Sequence, residues 1–100
     1  EIGDALHEAI DGGHGEIGGD LVESGASLAA KNAGGRNPLH VAPRRGKTEM
    51  AQLLLLKGAD KDVFDNEEGT PLLSAAFFGH SGVALALLGA GADVRLGCSQ

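Results

Sequence analysis

One hundred residues make one small domain, and three aromatic residues, all Phe, leave little for stacking nucleic-acid bases. A formal net charge of −6 opposes general nucleic-acid binding, and no apolar run nears the ~18 residues that span a bilayer. One cysteine, Cys98, excludes a disulfide framework and fits a reducing compartment.

The chain repeats itself every 33 residues. Asp4-Ala5-Leu6-His7 returns as Asn37-Pro38-Leu39-His40 and as Thr70-Pro71-Leu72-Leu73. Gly13-His14 returns as Gly46-Lys47 and Gly79-His80, and Gly25-Ala26 as Gly58-Ala59 and Gly91-Ala92. A period of this size marks a stacked array, here a single domain of residues 1–100 with copies of roughly 1–33, 34–66 and 67–99. Each copy reads as two short helices and an extended link.

In the first copy, Gly15, Gly18 and Gly19 weaken the second helix by about 1 kcal/mol each. Asp20 stands where the later copies hold Leu53 and Ala86, and Glu8 where they hold Val41 and Ser74. These polar choices suit an N-terminal end that meets water. In the second copy, Asn37 is a good N-cap and Pro38 suits the first helical turn. Pro43 removes a backbone hydrogen bond at roughly 3 kcal/mol and predicts a kink or an early end. After the Gly46 stop, Thr48 is predicted to cap the next helix, which carries Met50, Leu53 and Leu54 at helical spacing and ends at Gly58. Residues 59–69 are polar and read as an extended link with a turn. The third copy predicts helices near 71–78 and 81–89 and a glycine stop at Gly91. Its end lacks polar residues at Leu85, Gly82 and Gly89, so a further repeat or another segment is expected to cover it.

Helices this short are unstable alone and must bury their apolar faces on neighbours. The expected core columns are Leu6, Leu39 and Leu72; Ala9, Ala42 and Ala75; Ile17, Met50 and Val83; and Leu21, Leu54 and Leu87.

Pro38-Leu39-His40-Val41-Ala42 opening a first helix, Gly79-His80 between helices and Leu54-Leu55-Leu56-Lys57-Gly58-Ala59-Asp60 closing a second resemble the ankyrin repeat family. The resemblance covers nearly the whole chain. It implies an all-α repeat fold, an ankyrin-type stack of helix-turn-helix units joined by extended hairpin-like loops that project as fingers. The first helices would line a concave groove, and the imidazoles of His7 and His40 would bond across to neighbouring repeats. Gly34 to His40, Leu53 to Asp60 and Thr70 to Ala75 are further similar to myotrophin-type members, which implies a regulator of actin capping protein.

Residues that could carry chemistry form no coherent set. Gly13-His14-Gly15-Glu16-Ile17-Gly18 matches G-x-G-x-x-G, but a helix precedes it where a dinucleotide site needs a strand. A calcium loop opening at Asp60 lacks its glycine at Asp65 and its glutamate at Pro71. The histidines recur by repeat position, His7 with His40 and His14 with His80, as framework residues do. No catalytic, cofactor or metal site is expected, and no enzyme.

Function in a repeat protein lies where the copies disagree on exposed positions. Before the inter-helix glycine the copies read Asp11-Gly12, Arg44-Arg45 and Phe77-Phe78. The first copy is net −6 and the second net +2, counting seven acids against Lys31 and six bases against four acids. Two adjacent helical residues cannot both enter one core, so at least one of Phe77 and Phe78 is expected in solvent. The expected partner-binding residues are Arg36, Arg44, Arg45, Phe64, Asn66, Glu67, Phe77 and Phe78, with the partner another protein bearing an acidic or apolar surface. Leu56 and Leu85 make a lesser patch. The expected molecule is a non-enzymatic adaptor, scaffold or inhibitor, monomeric, in the cytoplasm or also the nucleus, that binds neither nucleic acid nor membrane. A chain that opens on Glu1 without an initiator Met also fits a targeting domain cut from a larger enzyme or channel.

Overall fold

The computed structural model describes residues 4–95; Cys98 and the last positions of the third copy lie outside them. Each copy starts its first helix on a side-chain cap. Asp4 accepts the His7 amide at 3.1 Å, Asn37 the His40 amide at 3.0 Å and Thr70 the Leu73 amide at 3.2 Å. In the second copy the cap is reciprocal, because the His40 ring accepts the Asn37 N–H. The helices that follow are α1 Ala5–Asp11, α2 Gly15–Glu23, α3 Pro38–Arg44, α4 Thr48–Leu56, α5 Pro71–Phe77 and α6 Ser81–Gly89. Every boundary recurs 33 residues on, and no strand occurs among the described residues. This is an all-α repeat fold of three helix pairs, with extents of 38 × 27 × 21 Å.

Two local expectations need correction. Pro43 does not end α3 early: α3 keeps the seven residues of α1 and α5. The proline falls in the last turn, where only its own bond to the preceding turn is lost. The Arg45 amide reaches Val41 and Ala42, and the Lys47 amide reaches Ala42, so the turn closes around it. The Pro43 ring is fully buried and adds packing. Thr48 is not a cap: Lys47 occupies that position and no side chain caps α4. The same holds for α2 after His14 and α6 after His80. Second helices are held by packing, not by local capping.

The core gathers Leu6, Ile10, Leu39, Ala42, Leu54, Ala75, Val83 and Leu87 in one cluster. Three columns run through it with partial cover at one end, since Leu72 and Leu21 are only half-buried. The fourth fails at its first member. Ile17 is 56% exposed, against 8% for Met50 and 0% for Val83. That column faces the preceding repeat, and α2 has none among the described residues. Gly46 shows why the inter-helix turn requires glycine: its φ is +68°, and a Cβ there would sit 2.8 Å from the His80 ring.

Candidate functional site

The turn between helices delivers three pairs of side chains to one side of the stack, and contacts run diagonally from each repeat to the next. The Arg45 guanidinium donates to the Asp11 carboxylate. One repeat on, the Arg44 guanidinium lies over the Phe78 ring, 5.0 Å from its centroid, at cation–π distance. Phe77 meets Phe78 edge to face, with centroids 5.0 Å apart and planes at 84°. Phe77 itself is 83% exposed, and Phe78 is 41% exposed. The expectation of at least one solvent Phe here understated the case. Arg44, Arg45, Asp11, His7, Glu8, Asn32 and Val41 line a small depression of about 60 Å³ on this side.

The fingers are built by side chains acting as local turns. Asn32 Oδ1 accepts the amides of Gly34 and Arg36, and its repeat counterpart Asp65 accepts those of Glu67 and Gly69. Adjacent fingers are stitched together: the Asn66 amide donates to Gly34 O at 2.9 Å, and its Nδ2 to Ala33 O at 3.1 Å. Gly35, at φ +75°, lies so close that a Cβ would strike the Asn66 side chain. Phe64 is 43% exposed in the link before the second finger.

Arg36 is a correction to the expected contact set. It is 5% exposed, its Nε 3.3 Å from Asp65 Oδ2 and its Nη2 3.0 Å from Glu67 Oε1. A guanidinium buried between two carboxylates joins the two fingers and presents no face to a partner. Its carbonyl accepts from the His7 ring at 2.8 Å. His40 makes the equivalent link one repeat on, its Nε2 donating to Gly69 O at 3.2 Å and also to Val63 O at 2.6 Å. These are the cross-repeat histidine bonds that the family resemblance implies. Burial pushes the His40 imidazole below its ordinary value, against the opposing pull of the carbonyls it bonds. At Asp4, burial raises the carboxyl, but the bonds it accepts from the His7 ring and amide prevail and hold it low.

Sequence reading missed a cleft of about 600 Å³ between α1, α2 and the start of α4. Its floor is Ala9, Ile10, Met50 and Leu53, and its rim carries His14, Glu16, Lys47 and Glu49. The signal is Gly15, where later copies hold Thr48 or Ser81: it is missing volume as well as a weak helix former. Among the described residues no cluster of three His, Cys, Asp or Glu could hold a metal ion, and no helix is long and apolar enough to cross a membrane.

Residues 6–97 match the family described as Ankyrin repeats (3 copies). A transient receptor potential cation channel subfamily A member 1 homolog of Caenorhabditis elegans is 35% identical over 90% of this chain and 7% of its own length. A putative ankyrin repeat-containing protein of Treponema pallidum (strain Nichols) is 40% identical over 73% of this chain and 25% of its own. Human protein phosphatase 1 regulatory subunit 27 is 36% identical over 67% of this chain and 44% of its own. The chain therefore spans less than half the length of each of these relatives.

Proposed function

We propose that this chain, which belongs to the ankyrin repeat family, is a non-enzymatic protein-interaction module whose contact surface centres on Phe77 and Phe78. The family generally serves protein–protein contact. The observation that carries the finer reading is the exposure of Phe77, a large ring set edge to face on Phe78, which itself lies under Arg44. A rigid exposed aromatic beside an arginine is the composition of an interface anchor. Phe64 and Arg44 belong to the same proposed surface. Arg45 contributes its shape more than its charge, which Asp11 neutralises. Asn66 and Glu67 help hold the fingers together and remain exposed, so they belong to the same proposed surface. Arg36 is left out because it is buried.

The test is Phe77→Ala, singly and with Phe78→Ala, assayed by pull-down with quantitative mass spectrometry and by thermal unfolding. Partners retained by the unmodified chain are expected to be lost, with unfolding nearly unchanged for the single variant. Retention of every partner by the double variant would refute the anchor. An interaction segment of a larger channel or regulatory protein is a second reading, favoured by the small share of those relatives that the chain covers. Regulation of actin capping protein is the narrowest version, checked by binding to that heterodimer.

A further inference from the structure

The arginines of the chain do not share one role. Arg36, Arg45 and Arg95 each pair with a carboxylate of this chain. Arg44 pairs with none among the described residues, and its guanidinium lies over the Phe78 ring, 5.0 Å from the centroid. The ring offers no acceptor oxygen, so the N–H donors of Arg44 stay uncommitted while the cation–π contact holds the group in place. Arg44 and Phe78 meet at the junction of the second and third copies, so their contact does not depend on what adjoins either end of the stack. The charges around it are sorted. From Gly69 to Ala92 the chain holds no Asp, Glu, Lys or Arg, so nothing charged in α5 or α6 opposes an acid here. On the side of the first copy, Asp11 is neutralised by Arg45, and the exposed Glu8 lines the same depression as Arg44.

Resting on the contact surface proposed above, we infer that the partner is a protein segment carrying an Asp or Glu close to a large apolar residue. Its carboxylate meets Arg44 and its apolar side chain meets Phe77. An arginine with uncommitted edges takes a carboxylate in two parallel hydrogen bonds, which a neutral or basic side chain cannot reproduce. Phe78 serves both anchors, with the Arg44 guanidinium and the Phe77 ring each 5.0 Å from its centroid. The two anchors therefore lie within about 10 Å of each other, which extended chain at ~3.3 Å per residue covers in about three positions. Glu8 sets the register, because it repels an acid displaced toward the first copy. A purely apolar segment leaves the Arg44 donors without an acceptor, and a basic one meets like charge.

The experiment selects random peptides displayed on phage against the folded chain and measures the recovered peptides by fluorescence anisotropy. Recovered sequences are expected to carry Asp or Glu within about three positions of Leu, Ile or Phe, and to bind more weakly as salt rises. Replacing that acid in the peptide by Asn or Gln, with the protein untouched, is expected to weaken binding about tenfold. Arg44→Gln is expected to do the same, and Arg44→Lys, which keeps the charge but not the fork, to lose part of that. Arg45→Gln is expected to change affinity less than about threefold, since Asp11 already neutralises that charge. In Arg44→Glu the preference inverts, and a peptide with Lys in place of the acid binds the better. Circular dichroism checks the fold of each variant, and the peptide substitution decides the matter if the Arg44 variants unfold. Peptides that need Phe77 but carry no acid, or lose nothing when it is neutralised, overturn this inference and leave the contact surface standing. Equal losses for Arg44→Gln and Arg45→Gln do the same. Recovery of no peptide, or only of peptides indifferent to Phe77→Ala and Phe78→Ala, overturns both.

Discussion

The junction between the first and second repeats is held differently from the junction between the second and third. At the second junction side chains fill the space: His80 lies against Gly46, a Cβ on Gly82 would meet Thr48 Oγ1 at 3.1 Å, and Val83 and Leu87 are fully buried. At the first junction Gly15 has nothing within contact distance and the cleft of about 600 Å³ opens between α2 and α4, although Met50, the counterpart of Val83, is buried. What crosses it is polar: Asp11 to Arg45, Glu23 to Lys57 and the His7 ring to the Arg36 carbonyl. The same helix boundaries are thus reached with and without dense packing. In a stacked repeat the fold is set by recurring caps and turns, while local stability is set by what fills the interface.

The largest effect that can test this contrast is a cavity in one column. Leu54→Ala, at a fully buried position, is expected to cost about 3 kcal/mol. Leu21→Ala, the half-buried counterpart in α2, is expected to cost about 1 kcal/mol, because less apolar surface is lost. Urea unfolding of the two variants measures the difference. Equal costs would mean that the first junction is as tightly packed as the second.

Acid separates the junctions next. His40 is buried and neutral, with Nε2–H on the Val63 and Gly69 carbonyls and Nδ1 accepting from Asn37. Its folded value lies below the ordinary 6.5, so the unfolded chain takes up the proton first. Stability is full above about pH 7, falls as pH drops through 6.5, and stops falling below the folded value. The slope is at most about 1.4 kcal/mol per pH unit for one proton. Asp4 has the same sign at lower pH, since its folded carboxyl is also held low. Its contribution is present above the ordinary carboxylate range and lost only as pH falls through the lower folded value. The second junction is therefore expected to weaken at mildly acid pH and the N-terminal cap only below the ordinary carboxylate value of 3.8. Amide exchange at pH 7.5, 5.5 and 3.5 distinguishes them. A His40 ring that titrates by NMR at or above 6.5 would reverse the order.

The sequence showed the period, the first-helix cap at Asn37, the glycine stops and most of the core, because each depends on local chemistry repeated along the chain. It misjudged features that depend on which neighbour lies across an interface. Ile17 belongs to a core column by spacing yet no repeat among the described residues covers it. Arg36 looked like a surface cation because its two carboxylate partners, Asp65 and Glu67, lie about thirty residues away, on the next finger. Pro43 looked like a helix breaker because its place within the last turn becomes visible only once the helix length is known. Of the candidate site, the Phe77–Phe78 pair was legible from adjacency alone, whereas the ring of Phe78 under Arg44 was not.

A smaller effect sharpens the contrast from the loose side. Gly19 is inside α2, and a Cβ there would meet only Leu53 Cδ2, at 3.9 Å. Gly19→Ala is expected to raise stability by up to about 1 kcal/mol through helix propensity. Amide protection should rise mainly in α2. Gly82→Ala in α6 is the matched control, because its new methyl meets Thr48 at 3.1 Å and part of the gain is lost in accommodating it. If both alanines stabilise equally, the second junction has slack that the contact distance denies.

The smallest effect concerns the ion pairs that bridge the first junction. Asp11 and Arg45 are 44% and 54% exposed at their side chains, and Glu23 and Lys57 are 60% and 39% exposed. Solvent screens such pairs, and each is expected to contribute about 0.5 kcal/mol or less. A double-mutant cycle of Asp11→Ala and Arg45→Ala at low and high salt isolates the term, which should shrink as salt rises. A salt-independent coupling above about 1 kcal/mol would mean that this pair holds the first junction. The expected small value assigns that role instead to the His7–Arg36 bond and to the buried Leu6, Ile10 and Leu39.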